Sequence, residues 1–192
     1  MMLTNDVMFR VAGADDGGRV VDFLMSLGEE LYLGERRVAE EIVARLFAHG
    51  FMSIGEKGKQ VVAMSGVLLG EPAKDYVNRE VGFIYVAGLA KRYRGQGVFQ
   101  VGLEFLIEEM VARGLERFRL HVLMTDKRLQ GIYGRFARPL REELNPRGMA
   151  CILYEGNVAQ VWAGMKKKKV PAYAYNATPH AYVLPRYDGE YL

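Results

Sequence analysis

Leu89-Ala90-Lys91-Arg92-Tyr93-Arg94-Gly95-Gln96-Gly97-Val98 is the stretch on which the fold turns. Before it, Glu80 to Leu89 is a long apolar run with little alternation, as expected of a strand covered on both faces. After it, a helix starts at once and runs from Gln96 to Arg113. Val98, Val101, Phe105, Leu106 and Met110 form its wide apolar stripe, and Gly114 ends it. Between strand and helix, glycines allow close approach to the backbone. The first N–H groups of a helix are unpaired and carry partial positive charge, so this turn suits a phosphate. Arg92 and Arg94 add cationic support. No Gly-Lys-Ser/Thr follows, which excludes the nucleotide P-loop. Gln100 stands where the dinucleotide fingerprint needs its third glycine.

Working outward, Val7 to Val11 is β-branched and aromatic and reads as a first strand. Asp15-Asp16 offers an N-cap to a helix carrying Val20, Val21, Phe23, Leu24 and Leu27, closed by Gly28. A second helix spans Glu35 to His49, with Gly50 at the C-cap position. Phe51–Gly55 and Gln60–Leu69 read as strands joined by the turn Glu56-Lys57-Gly58-Lys59. Glu71 to Arg79 is a polar loop. Beyond the central helix, Phe118–Leu123 is a strand and Lys127–Ala137 a short helix stopped by Pro139. Met149–Tyr154 and Val158–Met165 are expected to form a hairpin over Glu155-Gly156-Asn157. The fold class is α/β (α+β), a mixed central sheet flanked by helices in the order β-α-α-β-β-β-α-β-α-β-β.

Arg92-x-x-Gly95-x-Gly97 resembles the pyrophosphate-binding motif of the GCN5-related N-acetyltransferase (GNAT) superfamily, Gln/Arg-x-x-Gly-x-Gly/Ala. The longer run resembles that family's Val-x-Pro-x-Tyr-Arg-Gly-x-Gly, with Leu89 for the valine and Lys91 for the proline. Asp126-Lys127-Arg128-Leu129-Gln130-Gly131-Ile132-Tyr133 is similar to its later Asn-x-Arg-Ala-x-x-Leu-Tyr helix. There Asp126 takes the Asn position, while Arg128 and Tyr133 match. The Gly-Phe that usually follows is replaced by Ala137-Arg138. The element order agrees from about residue 7 to residue 165.

The resemblance implies transfer of an acyl group, usually acetyl, from coenzyme A to an amine of a small molecule or protein by direct attack. The cofactor-binding set it implies is Leu89, Arg92, Arg94, Gly95, Gln96, Gly97, Val98 and Asp126. The amides of residues 94–98 would take the pyrophosphate. A backbone N–H near Leu89 would meet the charge that develops on the thioester carbonyl. Tyr133 matches the tyrosine that serves as acid to the leaving thiolate, and Glu80 is a candidate base, directly or through water. Leu31, Tyr32 and Glu35 lie where the family builds its acceptor wall. Tyr85, His121 and Cys151 read as sheet or core residues. A binding or structural module that keeps the fold without catalysis is the alternative. So is an acyltransferase whose acceptor is associated with nucleic acid.

Composition bounds the rest. The chain has 192 residues, half of them apolar, and a formal net charge of +3. This is ordinary globular composition and excludes collagen-like, coiled-coil and mostly disordered chains. Residues 166–192 hold five cations and two anions, so residues 1–165 are neutral. A neutral body argues against a broad nucleic-acid face; nucleic acid would be reached only through the tail. The expected division is a domain over 1–165 and a basic, Tyr/Pro-rich tail over 166–192, part of which packs on its own domain or a neighbour. One cysteine and three scattered histidines exclude an intramolecular disulfide and give no metal site. No apolar run is long enough to span a membrane, and Met1–Arg10 has no signal-peptide pattern. The expected compartment is the cytoplasm, and the oligomeric state is open, a homodimer included.

Overall fold

Residues 7–31, 33–71, 76–145 and 148–167, with the pair 182–183, are described by the computed structural model. β1 (Met8–Val11) leads through a 3-10 turn into α1 (Gly17–Leu27), followed by α2 (Arg36–His49). β2 (Gly50–Lys57), β3 (Gln60–Leu69) and β4 (Val81–Leu89) form an antiparallel meander. α3 (Val98–Ala112) crosses over to β5 (Arg117–Leu123), which lies parallel to β4. A parallel neighbour needs such a crossover, and a helix supplies it. Then come α4 (Lys127–Tyr133), β6 (Arg138–Leu144), β7 (Ala150–Asn157), α5 (Val158–Lys167) and β8 (Tyr182–Val183). The sheet order is β6-β7-β5-β4-β3-β2-β1-β8.

The expected order holds through β7, but the last two strands are not the expected pair. Val158–Met165 is helix, not a strand. Asn157 Oδ1 accepts the Gln160 N–H at 2.9 Å, the geometry of an N-cap. Val158, Val161, Trp162 and Met165 then follow at helical spacing and pack on the α3 side. The partner of β7 is instead β6, whose residues are nearly all exposed at the sheet edge. Pro139 is tolerated there because an edge strand has one unpaired side. α5 runs through residue 165, so the expected domain boundary falls inside a helix. Tyr182 and Val183 pair with Phe9 and Met8 of β1. The other tail residues beyond 167 lie outside the described set.

Two apolar layers sandwich the sheet. α1 and α2 cover one face with Leu24, Leu46, Met52, Ile54, Met64 and Leu68. α3 and α5 cover the other, where Phe105, Ile107, Met110 and Phe118 are sealed. Each such large side chain contributes roughly 1.5–3 kcal/mol of transfer free energy. Gly50 is not a left-handed cap. Its backbone is extended, and a Cβ would overlap the Val67 carbonyl of β3, so helix α2 turns straight into β2. Asp16 stands at the N-cap of α1 but does not cap it. Its carboxylate accepts from the Gly13 N–H at 2.8 Å and from Arg10 and Arg19. Among the described residues, no helix is long and apolar enough to cross a membrane.

Candidate active site

The central sheet is split where β4 and β5 part. They pair in register from Val81↔Arg117 to Ile84↔Leu120 and no further. On the other side of β4, the register with β3 jumps from Val67↔Ile84 to Gly66↔Val86, leaving Tyr85 as an extra residue. This β-bulge bends β4 away just where its pairing with β5 ends. It also resets the alternation: Phe83, Tyr85 and Val86 all lie towards the α1/α2 layer, whereas Leu89 packs towards α3. Ala90 N–H donates to the Val62 carbonyl at 2.9 Å. Strand amides alternate in direction, so the N–H groups of Ala87 and Leu89 face the opening rather than β3.

The turn above the opening is built on two glycines with positive φ, Gly95 at 71° and Gly97 at 76°. In that left-handed region a Cβ would be strained. α3 has no side-chain cap. The N–H groups of Gly95, Gln96 and Gly97 have no acceptor among the described residues. The two arginines are not free cations beside this turn. Arg92 donates to Gln60 Oε1 at 2.5 Å and stacks over the Tyr93 ring at 4.9 Å. Arg94 folds back and donates to the Leu89 carbonyl from Nε and Nη2 at 3.1 and 3.0 Å. Its Nη2 also reaches Glu30 Oε2 at 2.5 Å, and Lys91 Nζ lies 3.1 Å from Glu30 Oε1. Arg94 foremost, with Lys91, holds the Glu30 carboxyl below its ordinary range against the opposing effect of burial. A cleft of about 560 Å³ lies between the end of α1 and this turn, lined by Ser26, Leu27, Glu30, Ala90, Lys91 and Arg92 among others.

Tyr133 ends α4 on the α3 side of the sheet. Its ring is buried, edge-on to Phe136 at 5.5 Å. The hydroxyl has no hydrogen-bond partner among the described residues. No fully sealed side-chain polar atom is left unpaired there, so this oxygen is not completely sealed from solvent. Burial, and then the charge of Asp126, push the phenol up to about 12. Asp126 Oδ1 caps α4 by accepting the Leu129 N–H at 2.9 Å. Gln130 ties α4 to the end of β5, donating to the carbonyls of Leu123 and Met124 at 3.0 and 2.9 Å.

Glu80 is not brought to this site. It is exposed at the opposite end of β4 from Leu89, and its carbonyl accepts the N–H groups of Glu116 and Arg117 at 2.9 and 3.3 Å. Its position along the strand, not its residue type, separates it from the opening. Leu31 packs on the α1/α2 layer and Glu35 is the N-cap of α2. Tyr32 lies outside the described residues. Sequence reasoning missed Glu30 as the partner of Arg94. It also read His121 as a plain sheet residue. His121 is the first β5 residue past the last β4 pair, and its Nε2 lies 2.7 Å from Glu143 Oε1 of β6. A contact between residues 22 positions apart, reaching over β7, leaves no local signal. Among the described residues no group of His, Cys, Asp and Glu is arranged to hold a metal ion.

A model of the Acetyltransferase (GNAT) family matches residues 21–137, which contain the opening, the glycine turn and α4. The chain belongs to the GNAT acetyltransferase family. Similar solved GNAT-fold structures include an acetyltransferase of the family from Staphylococcus aureus Mu50, 12% identical with a TM-score of 0.62, covering 79% of this chain and 99% of that one. Ard1 from Thermoplasma volcanium is 12% identical with a TM-score of 0.62, over 79% of this chain and 97% of that one. A ribosomal-protein-S5-alanine acetyltransferase from Vibrio fischeri is 11% identical with a TM-score of 0.62, over 81% and 95%. At such identities these likenesses show the fold alone. No curated protein matches this GNAT chain in sequence.

Proposed function

We propose that this GNAT protein transfers an acetyl group from acetyl-CoA to a primary amine by direct attack, without a covalent enzyme intermediate. The observation that carries the reading is the coincidence of two features. The uncapped start of α3, with its unpaired glycine-turn amides, stands directly above the gap between β4 and β5. The chemistry of the turn fits a pyrophosphate: amide donors converge on one point, and the left-handed glycines leave it open. The pantetheine arm would follow the gap downwards. The amides of Ala87 and Leu89 face that gap, and they would meet the carbonyl oxygen as it gains charge. The Tyr133 hydroxyl, kept protonated by burial, would donate a hydrogen bond to the departing sulfur.

The likeness to a ribosomal-protein-S5-alanine acetyltransferase does not carry over an acceptor, because acceptor walls are built from loops and fold does not fix function. The test is calorimetric titration with acetyl-CoA alongside thiol release over a panel of polyamines, amino acids, aminoglycosides and peptides. Binding that is abolished in Gly95→Asp, together with amine-dependent thiol release, supports the reading. Binding without thiol release points to a fold-retaining module instead. No binding, or binding unchanged in Gly95→Asp, overturns it.

A further inference from the structure

A direct attack needs the acceptor nitrogen unprotonated, and most amines arrive as ammonium ions. A base must therefore stand on the acceptor's side of the gap. The groups on the α1/α2 face near the opening can be taken in turn. Arg119 of β5 is held by Glu71 and by Glu155 of β7, so both carboxylates are occupied. The Tyr85 hydroxyl of β4 accepts from Arg45 of α2 at 3.3 Å. Cys151 of β7 is buried, and burial pushes its thiol up. Tyr133 belongs to the opposite face.

His121 is different. Its ring sits edge-on to Phe83 at 5.2 Å, at the apex of the opening. Glu143 holds Nε2 with one carboxylate oxygen, while its other oxygen accepts from Arg141 Nε at 2.6 Å. Burial raises the Glu143 carboxyl, but the hydrogen bonds from His121 and Arg141 outweigh it and keep the group below its ordinary range. An ionised carboxylate only accepts, so the imidazole proton resides on Nε2 and the lone pair on Nδ1. Nδ1 has no partner among the described residues. The His121 side chain is 18% exposed, and no sealed side-chain polar atom is unpaired, so Nδ1 is not sealed from solvent.

We propose that His121 is the base that deprotonates the acceptor ammonium, with Glu143 as its positioning residue; this rests on the transferase reading above. Nδ1 takes one proton from the ammonium. The freed nitrogen lone pair attacks the thioester carbonyl carbon, and the new C–N bond forms as the C–S bond breaks. The C–S electron pair stays on sulfur, which takes the second proton that nitrogen gives up. His121 returns its proton to water. The two proton-handling groups then serve opposite faces of the sheet, His121 for the incoming amine and Tyr133 for the outgoing thiol.

The test uses the full chain with acetyl-CoA and spermidine, tyramine, lysine methyl ester or an alanyl peptide amide. Thiol release is followed from about pH 5 to about pH 9, the range in which imidazole chemistry is visible. For the amine used fastest, His121→Gln is expected to lower kcat/KM by roughly 100-fold or more. It should also remove the acidic limb of the pH profile while leaving acetyl-CoA affinity unchanged. Glu143→Gln should displace that limb, and Glu143→Asp should partly restore it. In His121→Ala, added imidazole should recover turnover. A His121→Gln enzyme that stays within a few-fold of the wild type, or keeps its acidic limb, overturns the proposal and leaves the transferase reading intact. If His121→Gln loses its melting transition, rescue of His121→Ala by imidazole supports the proposal and failure of rescue overturns it. A wild-type protein that binds acetyl-CoA yet releases no thiol with any of these amines overturns both.

Discussion

Arg94 is bound to Leu89, five residues before it: two of its guanidinium nitrogens share the Leu89 carbonyl. The side chain therefore spans the base of the glycine turn and ties the end of β4 to the start of the loop. This makes Arg94 a brace for the loop as much as a charge beside it. Arg94→Lys keeps the charge but loses the planar fork. The expected result is that Lys fails to restore acetyl-CoA affinity, with a loss on the order of 10-fold in both Arg94→Lys and Arg94→Ala. Equal affinity in wild type and Arg94→Lys would show that charge alone matters. Glu30→Gln frees Arg94 and Lys91 from their shared carboxylate. It should tighten acetyl-CoA and steepen the dependence of affinity on salt, both readable by calorimetry.

Tyr133→Phe removes one oxygen from a well-packed ring. Stability near neutral pH should change little, because the hydroxyl makes no hydrogen bond within the described residues. Turnover should fall by roughly 10- to 100-fold if the hydroxyl meets the thiolate in the transition state. The phenol's raised value sets the pH window. Its contribution to stability is complete below its ordinary value of 10.0 and is lost as the pH rises through about 12. The wild type should therefore lose roughly 2–3 kcal/mol over that interval. Tyr133→Phe should not, as denaturant titrations at successive alkaline pH values would show.

At the other end of the pH scale stands Asp16. It is buried, accepts from Arg10 and Arg19, and is held at about 2, chiefly by the Arg10 hydrogen bonds against the cost of burial. Its contribution is present above its ordinary value of 3.8 and is lost as the pH falls through about 2. The shift corresponds to about 2 kcal/mol. Asp16→Asn should be less stable than the wild type at neutral pH, and the two should converge in acid. Parallel melting curves down to acid pH would show this pairing to be irrelevant.

Asn157→Ala removes the cap of α5. About 1 kcal/mol should be lost, or roughly 2–4 °C in Tm for a chain of this size. Turnover should not change, since Asn157 pairs with Arg117 at the end of β5 away from the opening. An unchanged Tm would mean that the Asn157 cap contributes nothing to α5.

Much of this was legible in the linear sequence, for identifiable reasons. The glycine turn announces itself because a strand, two glycines and an apolar helix follow without a break. α1, α2 and α3 carry apolar stripes at helical spacing. β6 does not announce itself: Arg138-Pro139-Leu140-Arg141-Glu142-Glu143-Leu144 has no buried face to impose alternation. Val158–Met165 was misread because a short apolar run suits either element, and the cap on Asn157 is what decides it. The proposed base is the hardest to read. Glu80 lies near the motif in sequence but at the wrong end of its strand. His121 and Glu143 meet only because β7 inserts between β5 and β6.

The extra residue at Tyr85 acts like a one-letter frameshift in β4. Upstream of it odd-numbered side chains look towards α1 and α2; downstream, even-numbered ones do. Excising Tyr85 would make the alternation of β4 continuous and leave Val86, Ala87, Gly88 and Leu89 on their present faces, but it would remove the bulge that bends the strand where its pairing with β5 ends. The width of the opening is thus encoded by a count of residues, and no side-chain substitution alone can reproduce or undo it.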